Sequence, residues 1–360
     1  MQAPSSAIAA VTHPDPYPYY RSLREVRPLF FDSGLGVWVA SGQAAVSAAL
    51  RHPSLRVRPL AEPVPMVLLG TATGEVFAHL VRMTDGTFHA EHKPEVERTA
   101  RRWQLADVAR AAEDAAASLA PELSANDVLT ALPLETMARL LGVPESERDN
   151  TCRWALHFAR GIAPGANAAT LAQAHEAAEA LMAQGRALGL NLAQSANRIA
   201  FMQQAIDATG GLLGHTALQL MQRPPLSALA DESLDAMRVF VREVERYAAP
   251  IQNTRRFAAG PLLLLDQPIE EGQAVLLVLA SANRDEAMNP QPESFDPRRE
   301  SVRSIGFGEG PHACPGAQIA IEIVANGARE IRARGRFDAL FSRSNGFRPL
   351  TNARVPVFED

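Results

Sequence analysis

The sequence predicts one mainly α domain with a minor β portion. Three observations carry that expectation. From about residue 108 to 222 the chain is rich in Ala and Leu at helical spacing and poor in Pro. Short apolar runs bounded by Gly and Pro, which mark strands, flank that stretch on both sides. No internal repeat or low-complexity linker divides the 360 residues. A single unit over 1–360 is therefore expected. It would hold a β-containing part to about residue 70, a helical part over about 71–250, and strands, an irregular meander and a glycine-rich loop over about 251–360.

The elements follow in order. Gly36 opens a turn, and Val37-Trp38-Val39-Ala40 reads as a strand. Residues 44–50 read as a helix that ends before His52-Pro53, because a residue preceding Pro avoids the α region. Residues 134–141 follow Pro133 and stop at Gly142-Val143-Pro144, a helix with a start and a stop signal. The longest helix is expected over 194–221, closed by Arg223-Pro224-Pro225, and another over 231–247, before Pro250. Apolar runs at 262–265 and 274–279 read as strands. The Pro-rich stretch 289–297 is irregular, and a last helix runs over about 316–332.

Composition narrows the classes. Hydrophobic residues make up 47% and charged residues 21%, as in ordinary globular proteins. The net charge of −5 argues against a nucleic-acid partner, and basic pairs such as Arg101 with Arg102 read as solvated faces. The two cysteines, Cys152 and Cys314, suit a reducing compartment. The first twenty residues lack a basic region followed by an apolar run, and no stretch approaches the ~18 apolar residues of a spanning helix. A cytoplasmic protein of bacterial style, with no membrane partner, is expected.

The sharpest local signal is Phe307-Gly308-Glu309-Gly310-Pro311-His312-Ala313-Cys314-Pro315-Gly316. Glycines let a backbone turn its amides toward one point. A cysteine just ahead of a helix meets the helix N-terminal amides, which favour a thiolate, the form that ligates metal. His312, two residues before the sulfur, is placed to reach an acidic group on a ligand. A lone Gly-x-Gly would be an ordinary turn. This string instead matches the signature Phe-Gly-x-Gly-x-His-x-Cys-x-Gly at every fixed position, and so resembles the haem-binding loop of cytochromes P450.

That resemblance extends over most of the chain. It implies the P450 fold, haem b (iron protoporphyrin IX) with Cys314 as the metal ligand, and Phe307, Gly308, His312 and Gly316 around the cofactor. Glu243 and Arg246, three apart on one helix face, resemble the family's Glu-x-x-Arg. Alone, such a pair is usually an exposed ion pair worth little. With Arg299 of Phe295-Asp296-Pro297-Arg298-Arg299 they imply a structural triad under the haem. Asn253-Thr254-Arg255-Arg256-Phe257 implies Arg256 on a haem propionate, and Ala282-Asn283-Arg284-Asp285 a scaffold turn. Met83-Thr84-Asp85-Gly86-Thr87-Phe88-His89 resembles a helix start that places His89 on a propionate, with Lys93 where the family has arginine.

The oxygen-activation segment departs from the family. Gln204-Ala205-Ile206-Asp207-Ala208-Thr209 stands where Ala-Gly-x-Asp/Glu-Thr-Thr is usual. Asp207 keeps the acid, Ala208 replaces the first threonine, and Thr209 falls on the second. Asp207 and Thr209 are the candidate catalytic pair for proton delivery. Ala205 would lie against the cofactor, and Gln204, Ala208, Ile251, Gln252 and Asn253 would wall the substrate pocket. The lost hydroxyl leaves three readings open: the substrate supplies it, Thr209 replaces it through a helix distortion, or the enzyme uses peroxide or another haem reaction.

The region 154–194 is compressed, which predicts a reduced or open lid. The expected activity is oxidation, typically hydroxylation, of a small to medium apolar organic molecule or biosynthetic intermediate. Electrons would come from a separate ferredoxin and its reductase, docked through Lys93, Arg101, Arg102 and Arg303. The alternatives are a peroxide-driven or otherwise atypical haem-thiolate catalyst and a haem protein that binds ligands without turnover.

Overall fold

The computed structural model describes residues 2–359. At its centre runs the long helix Leu192–Gln222. A capping box starts it: Asn191 Oδ1 accepts from Gln194 N at 2.9 Å, and Gln194 Oε1 accepts from Asn191 N at 3.0 Å. It ends where Pro224 opens the short helix Pro224–Asp231. From Leu212 to Leu220 every residue is buried, so this helix meets neighbours on all sides. Leu212 and Leu213 share a cluster with Leu129 and Leu132 of helix Ala125–Leu140, Phe240 and Val244 of helix Leu234–Tyr247, and Val324 of helix Ala317–Ala333. Each such side chain contributes about 1.5–3 kcal/mol of burial. The long helix approaches its neighbour so closely that a Cβ on Gly210 would lie 2.2 Å from the carbonyl oxygen of Leu129.

Two helix boundaries differ from expectation. Pro133 lies inside helix Ala125–Leu140, because a capping box at Ser124 and Asp127 fixes the start earlier. The helix expected over 231–247 starts at Leu234, because Ser233 Oγ accepts from Ala236 N at 3.0 Å and caps it there.

Strands from the two ends of the chain share one sheet, in the order Leu29–Asp32, Val37–Ala40, Ala274–Leu277, Thr254–Ala258, Leu55–Arg56. Trp38 to Ala40 pair in parallel with Val275 to Leu277. In the compressed region, helices Glu145–Gly161 and Ala168–Ala187 are joined by six residues, 162–167, and four more, 188–191, lead into the long helix. Glycines permit the tight contacts: a Cβ on Gly161 would lie 2.1 Å from Ala174 Cβ, and one on Gly185 2.2 Å from Ser195 Oγ. No helix among the described residues is long and apolar enough to cross a membrane.

Candidate functional site

The cysteine loop is built on a pinned scaffold. Asn283 Oδ1 accepts from Ile305 N at 2.8 Å, and Asn289 exchanges hydrogen bonds with the backbone of Arg303. Gly308 and Gly310 take φ of +73° and +67°, a region that costs other residues. Cys314 N then donates to Phe307 O at 2.9 Å, which closes the loop three residues before helix Ala317–Ala333. Gly316 N–H points at the Cys314 sulfur. Glu309 holds Ser47 and lies 3.2 Å from Arg51 Nε, which ties the loop to helix Gln43–Arg51.

A buried clamp lies beneath. Arg246 donates to both Glu243 oxygens at 2.7 and 2.8 Å, and neither side chain is exposed at all. Arg299 Nε donates to Glu243 at 3.2 Å. The two guanidiniums also bind the backbone oxygens of Pro292, Ser294 and Gln291. The structure therefore brings Glu243, Arg246 and Arg299 together and stitches the meander to them. Glu245, between them in sequence, is buried under Gly306, where a Cβ would stand 1.9 Å from its Oε1. Burial pushes the Glu245 carboxyl up to about 7, against the hydrogen bond from Ser304.

At one edge of the loop, His312 Nε2 lies 3.0 Å from Asp85 Oδ1, and the His312 and His89 rings sit 4.3 Å apart. Arg256, on strand Thr254–Ala258, feels the Asp85 charge. Lys93 donates to Ala313 O at 2.7 Å, next to the ligating position, so it is committed to the loop backbone. His89 Nε2 is buried without a partner. Burial, then the charge of His312, lowers the His89 pKa to about 4.

On the other side stands the long helix. Ile319 and Ile323, which follow the cysteine, share a buried cluster with Ala205 and Ile206. The helix is otherwise largely buried, yet Gln203, Gln204, Asp207 and Ala208 form an open stripe. Asp207 Oδ1 lies 3.7 Å from Arg348 Nη1. Burial raises the Asp207 pKa, with Arg348 and Arg160 opposing. Thr209 faces the buried side at 4% exposure, and the helix runs unbroken through it. No distortion brings its hydroxyl onto the stripe. Gln252 is fully buried, its amide used by Tyr20 Oη at 3.0 Å and Ala249 O at 2.7 Å, so it has no free polar atom to offer a ligand. Asn253 is likewise buried and donates to Thr351 O. Ile251 bridges to Ala353 and stays partly open.

These features suit a flat, iron-bearing ligand with acidic groups on one edge. A free thiol, an open helix face, and an orphaned histidine beside His312 are the three contacts such a group needs. Burial raises the Cys314 pKa, with Gly316 N–H and Lys93 opposing and Glu245 adding to the rise. A coordinated cation deprotonates a ligating thiol.

Comparison with known proteins agrees. The family model described as Cytochrome P450 matches residues 217–324. Vitamin D(3) 25-hydroxylase of Pseudonocardia autotrophica is 26% identical over 343 residues, 85% of this chain and 83% of the relative. Over residues 217–324 and in its fold the chain is similar to the cytochrome P450 superfamily. Cytochrome P450 165C4 of Amycolatopsis orientalis is 35% identical over 116 residues, a match that spans only 29% of that protein and 32% of this chain. Among solved structures, P450BioI in complex with an acyl carrier protein ligated to hexadec-9Z-enoic acid superposes at a TM-score of 0.78, with 22% identity and 95% and 96% of the two chains covered. That family takes a haem-thiolate cofactor, which the donor set around Cys314 suits.

Several site residues escaped sequence reasoning. Asp85 was visible in the quoted string, but its pairing with His312 joins positions 227 apart. Arg348 and Arg160, which face Asp207, come from a late strand region and the helix before the 162–167 connection. Neither carries a motif. Glu245 was hidden between its two motif neighbours.

Proposed function

We propose that this protein is a P450 monooxygenase that binds haem b through Cys314 and hydroxylates an organic molecule with a largely apolar body. The observation that carries the reading is the Cys314 loop, glycine-turned and clamped from below, set across from an open stripe that bears Asp207. When bound, the haem supplies the redox chemistry, its thiolate ligand favouring O–O cleavage. The chain positions and protects. Cys314 offers the sulfur, and Lys93 fixes the carbonyl next to it. His89, His312 and Arg256 would hold the acidic edge, in the manner of charge-assisted contacts. Asp207 holds a proton at its carboxyl more readily than a solvated aspartate does. Ala208 offers no hydroxyl beside it and Thr209 is turned away, so the proton must pass through water or a hydroxyl of the substrate.

The relatives' names include hydroxylases and monooxygenases, in keeping with a biosynthetic or secondary-metabolic substrate. Electrons would reach the cysteine side from a ferredoxin and its reductase in the cytoplasm. Exposed Arg101, Arg102 and Arg303 suit an acidic partner. Lys93 is spent on Ala313. The test is the carbon monoxide difference spectrum of the reduced protein. The wild type should show the red-shifted Soret band of thiolate ligation, and Cys314→Ser should lose it with unchanged far-ultraviolet circular dichroism. Absence of the band in the wild type would sink the reading. The missing hydroxyl on the stripe favours a second reading, a peroxide-driven catalyst. Product from hydrogen peroxide but none from reduced ferredoxin and dioxygen would select it.

A further inference from the structure

Arg82 plays no part in the machinery described so far. It lies on the short turn Val81–Met83, held at two points. Val81 N donates to Asn197 Oδ1 on the long helix at 3.0 Å. Three residues beyond Arg82, Asp85 binds His312 and Val57 N. The turn thus spans from the distal helix to the cysteine loop.

Three other buried arginines have partners at their guanidiniums. Arg246 is matched to Glu243, Arg284 to Glu293 and Tyr247 O, and Arg354 to the carbonyls of Val11, His13 and Pro14. Among the described residues Arg82 has neither a hydrogen bond nor an ion pair, and its Nε is shut off without a partner. Burial by itself lowers its pKa to about 10, with no carboxylate contributing. A buried, unpaired guanidinium is costly, and removal of that cost is what a bound anion provides. The side chain is not fully enclosed, so a small anion can reach it.

Helix geometry relates the turn to the open stripe. Asn197, which holds the turn, precedes Gln204 by seven residues, about two turns, so both lie on one face. That face carries the open stripe. Gln203 Oε1 on the stripe is a second buried polar atom without a partner. The cationic edge around His89 is a separate place: Arg82 is absent from the charges acting on Asp85, His89, Lys93 and Arg256.

We propose that Arg82 is the receptor for a carboxylate of the substrate, so that this enzyme oxidises an organic acid with an apolar body. The inference rests on the haem-thiolate reading and narrows its substrate class. A planar fork with several donors suits a carboxylate better than any neutral group.

The test titrates ferric holoenzyme with the saturated fatty acids from octanoate to hexadecanoate, and with 3-phenylpropanoate. Each is compared with its primary alcohol by Soret shift and calorimetry. At least one acid should bind about tenfold more tightly than its alcohol, some 1.4 kcal/mol. Arg82→Met should abolish that difference while haem content and the carbon monoxide spectrum stay as in the wild type. Arg82→Lys should keep part of it. Equal binding of every acid and its alcohol overturns the proposal, as does a preference that survives Arg82→Met. Faster loss of haem to apomyoglobin from Arg82→Met, with no acid preference in the wild type, would assign the guanidinium to a haem propionate and also overturn it. A wild type without the thiolate band would instead fail the haem-thiolate reading, by a different signal.

Discussion

Asp207 stands on the open stripe of the long helix, half sheltered and 3.7 Å from a guanidinium. Its carboxyl can carry a proton, and nothing beside it on the chain can relay one, because position 208 is alanine. Asp207→Asn keeps the shape and removes the titratable group. It should lower turnover at least about 100-fold, the lower range of a lost general acid. Product formed per electron consumed checks this. Ala208→Thr restores a hydroxyl on the open stripe and should raise that ratio if water is the native relay. If the substrate's own hydroxyl serves, the added side chain should leave it unchanged or lower it.

Helices and loops carry the next set of constraints. The clamp of Arg246 on Glu243 is buried on both sides and also binds carbonyls of the meander. Arg246→Ala would strip the buried Glu243 carboxylate of its two-pronged partner and leave it only Arg299 as a cation, at about 3–5 kcal/mol. Arg246→Lys should recover little, since one ammonium cannot replace a two-pronged contact. Urea unfolding of each variant measures both. Gly210→Ala tests the contact between the long helix and helix Ala125–Leu140. A Cβ there meets a backbone oxygen at 2.2 Å, and backbone cannot swing aside as a side chain can. A loss of about 1–3 kcal/mol is expected, read as a lower thermal midpoint.

Across the whole molecule, pH acts through buried groups. His215 is 3% exposed and sits 2.9 Å from Arg354 O. Burial, then the Arg354 charge, lowers its pKa from 6.5 to about 3. Between those values the unfolded chain holds a proton that the folded chain lacks. Stability from this site is therefore full above pH 6.5 and is lost on acidification, at up to about 1.4 kcal/mol per pH unit. Glu245 works in the opposite sense. Its folded pKa is raised to about 7 from 4.5, so its contribution is full below 4.5 and is lost as pH rises through 7. The difference between wild type and His215→Gln isolates the histidine. Over about pH 7 to 5, the variant should lose stability with acid less steeply, by nearly one proton.

Local chemistry fixed what the sequence could declare. The run from Phe307 to Gly316 needs its glycines for the turn and its cysteine for the metal, so adjacent residues announced the loop. Helical spacing announced the long helix, and a three-residue interval announced Glu243 with Arg246. Other features arise only when distant segments meet. Asp85 finds His312, Arg348 finds Asp207, and Thr209 turns from the cleft because its helix packs that way round. Gln252 was expected on a pocket wall and is instead spent on Tyr20, 232 positions away. Arg82 shows the division most plainly. In the sequence it is one basic residue near a turn. Only packing excludes every partner from it, and burial turns that exclusion into a free-energy cost that a ligand can relieve.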